Sequence, residues 1–284
     1  MAKGRGQDVD AITGETIKGV EIPNHGGKAG NTGEPQNAFA FLMSQKPHPT
    51  PAEPKNRPWE DKKFYGGRDG LKAYTVEPEA FGSDRIISFD DKFVHIWDMF
   101  PKAAVHTLVL TRDFSKDELH PFDAFEDPVF LEETKVAVDK AKQVVASELR
   151  RRFGRYSASE QARIAAMEAD EIPDELPEGR DWLKEVKAGI HAHPSMTHLH
   201  VHVMSVDNTG DCLSHAKHYE SFNTGFLVPL EAFPLGPDDP RRHPGSNGII
   251  NQDLKCWRCG RNFGRKFKAL KEHLSEEFET WKRE

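Results

Sequence analysis

Short apolar runs and turn signals alternate between residues 70 and 110. Ile86-Ile87-Ser88-Phe89, Phe93-Val94-His95-Ile96-Trp97 and Val105-His106-Thr107-Leu108-Val109-Leu110 are β-rich, and Asp90-Asp91-Lys92 and Phe100-Pro101-Lys102 separate them. This pattern predicts three strands joined by tight turns. Then the period lengthens. Asp127 can cap a helix, Pro128 fits its first turn, and Leu131, Val138, Val145 and Leu149 recur at helical spacing. The basic end of that run, Arg150-Arg151-Arg152, complements the negative end of a helix. A strand returns at Thr197–Ser205, and Phe226–Leu230 reads as another.

Outside this region the pattern fades. Residues 1–65 are dominated by Gly, Pro, Asn, Lys and Thr, with prolines packed between Lys46 and Pro58. They read as a disordered tail, too polar to contribute a wall to a site. One apolar island, Asn37–Met43, interrupts it as a candidate docking motif for a protein partner. The expected division is a tail over 1–65, an α+β domain over 66–235 with an acidic insertion at about 157–187, a linker over 236–248, and a separate module over 249–284.

Charge refines the division. With 39 Lys and Arg against 46 Asp and Glu the net charge is −7, which announces no nucleic-acid binder. Residues 168–185 hold eight acidic and two basic residues, a net −6, and read as a solvated loop. Lys255–His273 holds seven basic residues against Glu272, a net +6 that suits a phosphate backbone. No run of eighteen apolar residues exists to span a membrane, and Met1–Asp10 lacks the apolar segment of a secretory signal. Three cysteines make no disulfide framework and suit a reducing compartment. There a cysteine pair is more often a metal site, and the lone Cys212 is filler.

Candidate chemistry concentrates in His198-Leu199-His200-Val201-His202-Val203-Met204. On a strand the three histidines share one face and the aliphatics the other. Three imidazoles make poor core, so metal ligation or phosphoryl chemistry with a histidine nucleophile is indicated. Only Asp207 lies near to help bind a metal. Pro194-Ser195-Met196-Thr197 instead offers a hydroxyl and backbone N–H groups to phosphate oxygens, which favours phosphoryl transfer. In the basic module Cys256-Trp257-Arg258-Cys259, then His273 and Glu277, have the spacing of a small zinc finger. Glu276 competes with Glu277, since i and i+3 also neighbour on a helix. Three intervening residues after His273 is the usual finger spacing and favours Glu277.

His198–Met204 resembles the His-φ-His-φ-His-φ-φ signature of the histidine-triad superfamily, and the branch it resembles most is the aprataxin family. Further matches are Asp90-Asp91, Asp98–Ala103, His106–Leu110, Pro194–His198, Lys217–Thr224 and the finger, whose glutamate resembles the fungal pattern. The resemblance implies a histidine-triad domain with an antiparallel sheet, fused to a finger holding structural Zn2+. It implies removal of AMP from adenylated DNA 5′-phosphates left by abortive ligation, in nuclear single-strand-break repair, with no metal needed for hydrolysis. His200 is then the nucleophile that carries AMP. His198 and His202 bind phosphate oxygens and orient it, and His106, on a neighbouring predicted strand, matches the family's fourth histidine. His218 serves the 5′-phosphate or the leaving group, and Ser195, Met196, Asp98 and Lys102 bind substrate. DNA with 5′-adenylated ends or nicks is the implied partner, and AMP the product. Two alternatives stand beside it: a general hydrolase of free dinucleoside polyphosphates or nucleotide phosphoramidates, and a DNA-end binder with an inactive triad.

Overall fold

The computed structural model describes residues 8–9, 16–23 and 64–284; the Asn37–Met43 island lies outside them. Six antiparallel strands build the main sheet in the order β3-β4-β5-β7-β6-β8: β3 Ile86–Phe89, β4 Phe93–Trp97, β5 His106–Thr111, β6 Val186–His191, β7 His200–Ser205 and β8 Leu227–Val228. A separate two-stranded ladder pairs β1, Val20–Glu21, with β2, Phe64–Tyr65.

Alternation along the strands sorts the sheet into two faces. Val109, Val201 and Val203 enter the largest core, against helix α2, Pro128–Phe153, through Phe130, Leu131, Val138, Val145 and Leu149. Asp127 caps that helix by accepting from the Val129 and Phe130 amides. On the other face Val94, Ile96, Leu108 and Leu110 pack with Leu71 and Tyr74 from the start of α1, Lys72–Val76. His200 and His202 lie on this second face, beside α4, Ala216–Asn223. The expected α+β class and antiparallel sheet are both present.

The expected division of the chain needs correction in three places. First, the N-terminal region is not wholly an unpacked tail: Ile22 is buried with Tyr65 and Ala73, and Val20 packs beside them. Second, the insertion over 157–187 is more than the acidic loop, whose residues 168–175 are exposed as expected. It holds helix α3, Ala158–Met167, whose Glu160 is 3% exposed and accepts from Arg150 (3.0 Å) and from the Trp182 indole (3.2 Å). Glu185 accepts from Arg180 and from the Trp281 indole at 2.6 Å. Third, the C-terminal module is not separate. Trp281 ends α5, Phe267–Trp281, and is 1% exposed within the main core, where Arg180 packs over both the Trp182 and Trp281 rings. Even the linker is ordered, with a short turn at Pro240–Arg242 and Arg242 bonded to the carbonyls of Leu235 and Gly236. Acidic residues and aromatics far apart in sequence thus close one surface.

Candidate active site and candidate zinc centre

A cleft of about 210 Å³ opens on the second face of the sheet. Its polar end is lined by Asp98, Lys102, His191, Ser195, His200, His202 and His218, and its apolar end by Leu71, Tyr74, Ile96, Leu108 and Met196. Two predicted residues stand off the lining. His106 is 3% exposed behind the cleft, bonded to His202. His198 precedes β7 rather than sharing its face, and its Nε2 donates to the Thr111 carbonyl at 2.9 Å. The expected direct contact of His198 with phosphate does not fit that orientation.

Hydrogen bonds assign the protons. His200 Nδ1 faces the His198 carbonyl at 2.7 Å, so Nδ1 carries the hydrogen and Nε2 keeps its lone pair. The Lys102 amide donates to His106 Nδ1 at 3.1 Å, which puts the His106 proton on Nε2. That proton is shared with His202 Nδ1, 3.0 Å away, while Asp98 Oδ2 lies 3.4 Å off. His202 therefore carries its own proton on Nε2, an atom buried without a hydrogen-bond partner among the described residues. The result is a bare imidazole nitrogen on His200 beside an N–H on His202.

Burial keeps the rings neutral. It pushes His106 down to about 4 and His198 to about 3, lowers His200, and holds His202 and His191 well below the ordinary range. Neutral imidazole is the form a nucleophile requires.

The structure adds residues to the site. His191 lacked a role in the sequence; its Nε2 is buried and unpartnered among the described residues, and its ring packs on His202 with centroids 4.5 Å apart. Phe222 stands edge-on to His106 and His202. Half-buried Lys187 on β6 donates to the Phe222 carbonyl and to the Asn208 and Asn223 side chains, all within 3.2 Å. Desolvation lowers its ammonium to about 7. Strand β6 went unread because Lys187 and Gly189 break the alternation. A Cβ at Gly189 would sit 2.8 Å from the Leu227 side chain, so close strand packing requires glycine there.

In the C-terminal module the ligand atoms of Cys256, Cys259, His273 and Glu277 lie within 4.8 Å of one another. Cys259 Sγ is 3.1 Å from His273 Nε2, which is 3.3 Å from Glu277 Oε1. Two thiols, an imidazole and a carboxylate converging on one point fit a tetrahedral zinc site. Glu276 is turned toward His273 Nδ1 at 3.9 Å and is mostly exposed. Arg258 donates to the second oxygen of Glu277, orienting the carboxylate from the far side. Helix α4 joins this module to the cleft. His218 and Ser221 line the cleft, while Tyr219 receives the Trp257 amide, donates to the Lys255 carbonyl, and packs with Leu254 and Leu270.

Comparison with known proteins finds a family match for each part of the chain. Residues 82–209 match the HIT domain family, and residues 223–280 the C2HE / C2H2 / C2HC zinc-binding finger. The aprataxin-like protein of Schizosaccharomyces pombe is 31% identical over 249 residues, 86% of this chain and 94% of the relative. That of Saccharomyces cerevisiae is 35% identical over 222 residues, 75% of this chain and 96% of the relative. The crystal structure of the aprataxin ortholog Hnt3 in complex with DNA superposes with a TM-score of 0.58 at 31% identity, covering 75% of this chain and 96% of that one. Hnt3 in complex with DNA and guanosine gives the same score at 32% identity and the same coverage. With a histidine-triad domain carrying a bare nitrogen on its middle histidine, a fused four-ligand finger and relatives matched nearly end to end, this chain belongs to the aprataxin-like family.

Proposed function

We propose that the protein hydrolyses 5′-adenylated DNA, releasing AMP and a repairable 5′-phosphate, in the nucleus during single-strand-break repair. The observation that carries this is the proton arrangement at His200. Its Nδ1–H is held by the His198 carbonyl, and its Nε2 lone pair belongs to a ring lining the cleft. Nε2 attacks the α-phosphorus and forms a P–N bond. The anhydride P–O bond breaks, and its electron pair leaves with the DNA 5′-phosphate. Water then attacks the same phosphorus, AMP departs, and the lone pair returns to Nε2. The His202 Nε2–H and Ser195 hydroxyl serve the phosphate oxygens. Asp98 serves the ribose, Lys102 the nucleotide end, and His218 the 5′-phosphate side. His198 and His106 position the rings that act.

DNA as the partner is supported by the Hnt3 complexes with DNA and by the finger's exposed cations. Zinc in the finger would hold the Cys256–Cys259 turn against α5 and supplies no step of the hydrolysis. The test is AMP release from a 5′-adenylated nicked duplex against release from diadenosine polyphosphate. Strong preference for the duplex supports the proposal. Equal turnover favours a general nucleotide hydrolase, and tight duplex binding without AMP release favours an inactive DNA-end binder.

A further inference from the structure

Part of the cleft's lining comes from residues far upstream of both family matches. Thr16, Ile17, Lys18 and Val20 line it, whereas the HIT match begins at residue 82. Several contacts seat this segment. Val20 and Glu21 pair with Tyr65 and Phe64, the Ile17 amide donates to the Asp8 carbonyl at 2.8 Å, and the Arg68 amide donates to the Asp8 carboxylate at 3.2 Å. Ile22 is buried beneath, and Val20 packs with both neighbouring apolar clusters. Gly19 makes the close approach possible. A Cβ there would lie 2.5 Å from the Phe64 ring, 2.6 Å from the Tyr65 carbonyl oxygen and 2.7 Å from the Gly66 Cα, and two of those three are backbone.

We propose that residues 16–20 form the outer wall of the nucleobase slot, with Ile17 and Val20 covering the base, so that the N-terminal segment is a specificity element of the active site. This rests on the reading that the cleft takes an adenylate. With the phosphate at His200 and the ribose at Asp98, the base extends into the end lined by Leu71, Ile96, Leu108 and Met196. A flat aromatic ring between those side chains and Ile17 is shielded from water on both faces; without the segment one face stays wet. The expectation that the tail has no part in the site is replaced by this assignment.

The experiment measures AMP binding to the full chain by calorimetry, then to Ile17→Ala, Gly19→Ala and a chain lacking residues 1–23. The truncated chain should bind AMP about tenfold more weakly, a change readily resolved in Kd. Gly19→Ala should approach that loss, and Ile17→Ala should lose a few-fold. With a small AMP ester the same variants should raise KM and leave kcat within about twofold, as loss of uniform binding requires. Lys18 is exposed and gives trypsin a cut site, which AMP should protect in the unaltered chain. Unchanged AMP affinity in Ile17→Ala and Gly19→Ala, with cutting at Lys18 indifferent to AMP, would overturn the wall and leave the adenylate reading intact. A full chain that binds no AMP would instead overturn the adenylate reading. Should the truncated chain fail to fold, the point variants and the protection assay decide.

Discussion

Among the described residues two clusters bring metal-type donors together, and they do so to opposite ends. Asp98, His106 and His202 form one; Cys256, Cys259, His273 and Glu277 form the other, each with its ligand atoms within 4.8 Å. In the first, the histidine nitrogens that meet are already mated to each other and to a backbone amide. The outcome is a set of neutral rings with fixed tautomers. In the second, sulfur, nitrogen and oxygen acceptors crowd one point, which favours a cation between them. What separates a proton-ordering cluster from a metal site is the partner of each histidine's second nitrogen, not the residue types.

The largest expected effect comes from removing the nucleophile beside the first cluster. His200→Ala should lower AMP release by at least about a thousandfold, as loss of a covalent nucleophile does, while duplex binding remains. Acid-quenched wild-type reactions should carry AMP on His200. Substantial residual hydrolysis by the variant would remove the covalent mechanism.

Legibility followed the range of the signal. The histidine strand, the capped helix and the Cys-x-x-Cys finger are local patterns, and each was readable. Glu160, Glu185 and Trp281 were not, because their meaning lies in contacts spanning up to about a hundred residues. Acidic side chains in a net −6 segment look solvated until an indole N–H is found on one of them. Gly19 escaped for the same reason: only the approach of Phe64 and Tyr65 makes its missing Cβ matter. His198 shows the reverse error, since alternation placed it with His200 although the strand starts two residues later.

The module around the second cluster should show itself in salt dependence. Of the seven basic residues in Lys255–His273, Arg258 is committed to Glu277 and Glu284, and Arg265 to Glu220. Lys255, Arg261, Lys266, Lys268 and Lys271 remain exposed. Five phosphate contacts give a log–log salt slope of roughly −4.5, or about a 500-fold loss of affinity between 50 and 200 mM salt. Lys268→Ala should reduce that slope by about 0.9. Arg265→Ala should leave the slope alone and loosen the finger from α4 instead, which thermal melting would detect. A slope change for Arg265→Ala equal to that for Lys268→Ala would mean that arginine reaches DNA.

Acid should distinguish the clusters through the buried rings. His95 and His106 sit near 4 and His198 near 3 because burial opposes their charged forms, against 6.5 when unfolded. The unfolded chain therefore binds more protons, so stability is retained above about pH 6.5 and falls as pH drops toward those folded values. Each ring contributes roughly 1.4 kcal/mol per pH unit within its window. His95 packs away from the cleft, so His95→Leu should flatten the slope by that amount without altering AMP release. Urea unfolding between pH 4.5 and 7 measures it. An unchanged slope would show that His95 is protonated in the native state or neutral in both states.

The smallest effect concerns which carboxylate completes the finger. Glu277 lies one helical turn from His273, with Oε1 3.3 Å from its Nε2, whereas Glu276 sits beside Nδ1 in solvent. Glu276→Ala should therefore leave zinc content unchanged by elemental analysis. Glu277→Ala should loosen the metal, and Glu277→His should retain it, because imidazole can complete the same tetrahedron. Arg258 holds the second oxygen of Glu277, so Arg258→Ala should weaken zinc by about tenfold, the low end for an outer partner of a ligand. Metal loss from Glu276→Ala with retention in Glu277→Ala would exchange the two glutamates. It would leave the finger standing and make the Arg258 pair a helix tie rather than part of the zinc site.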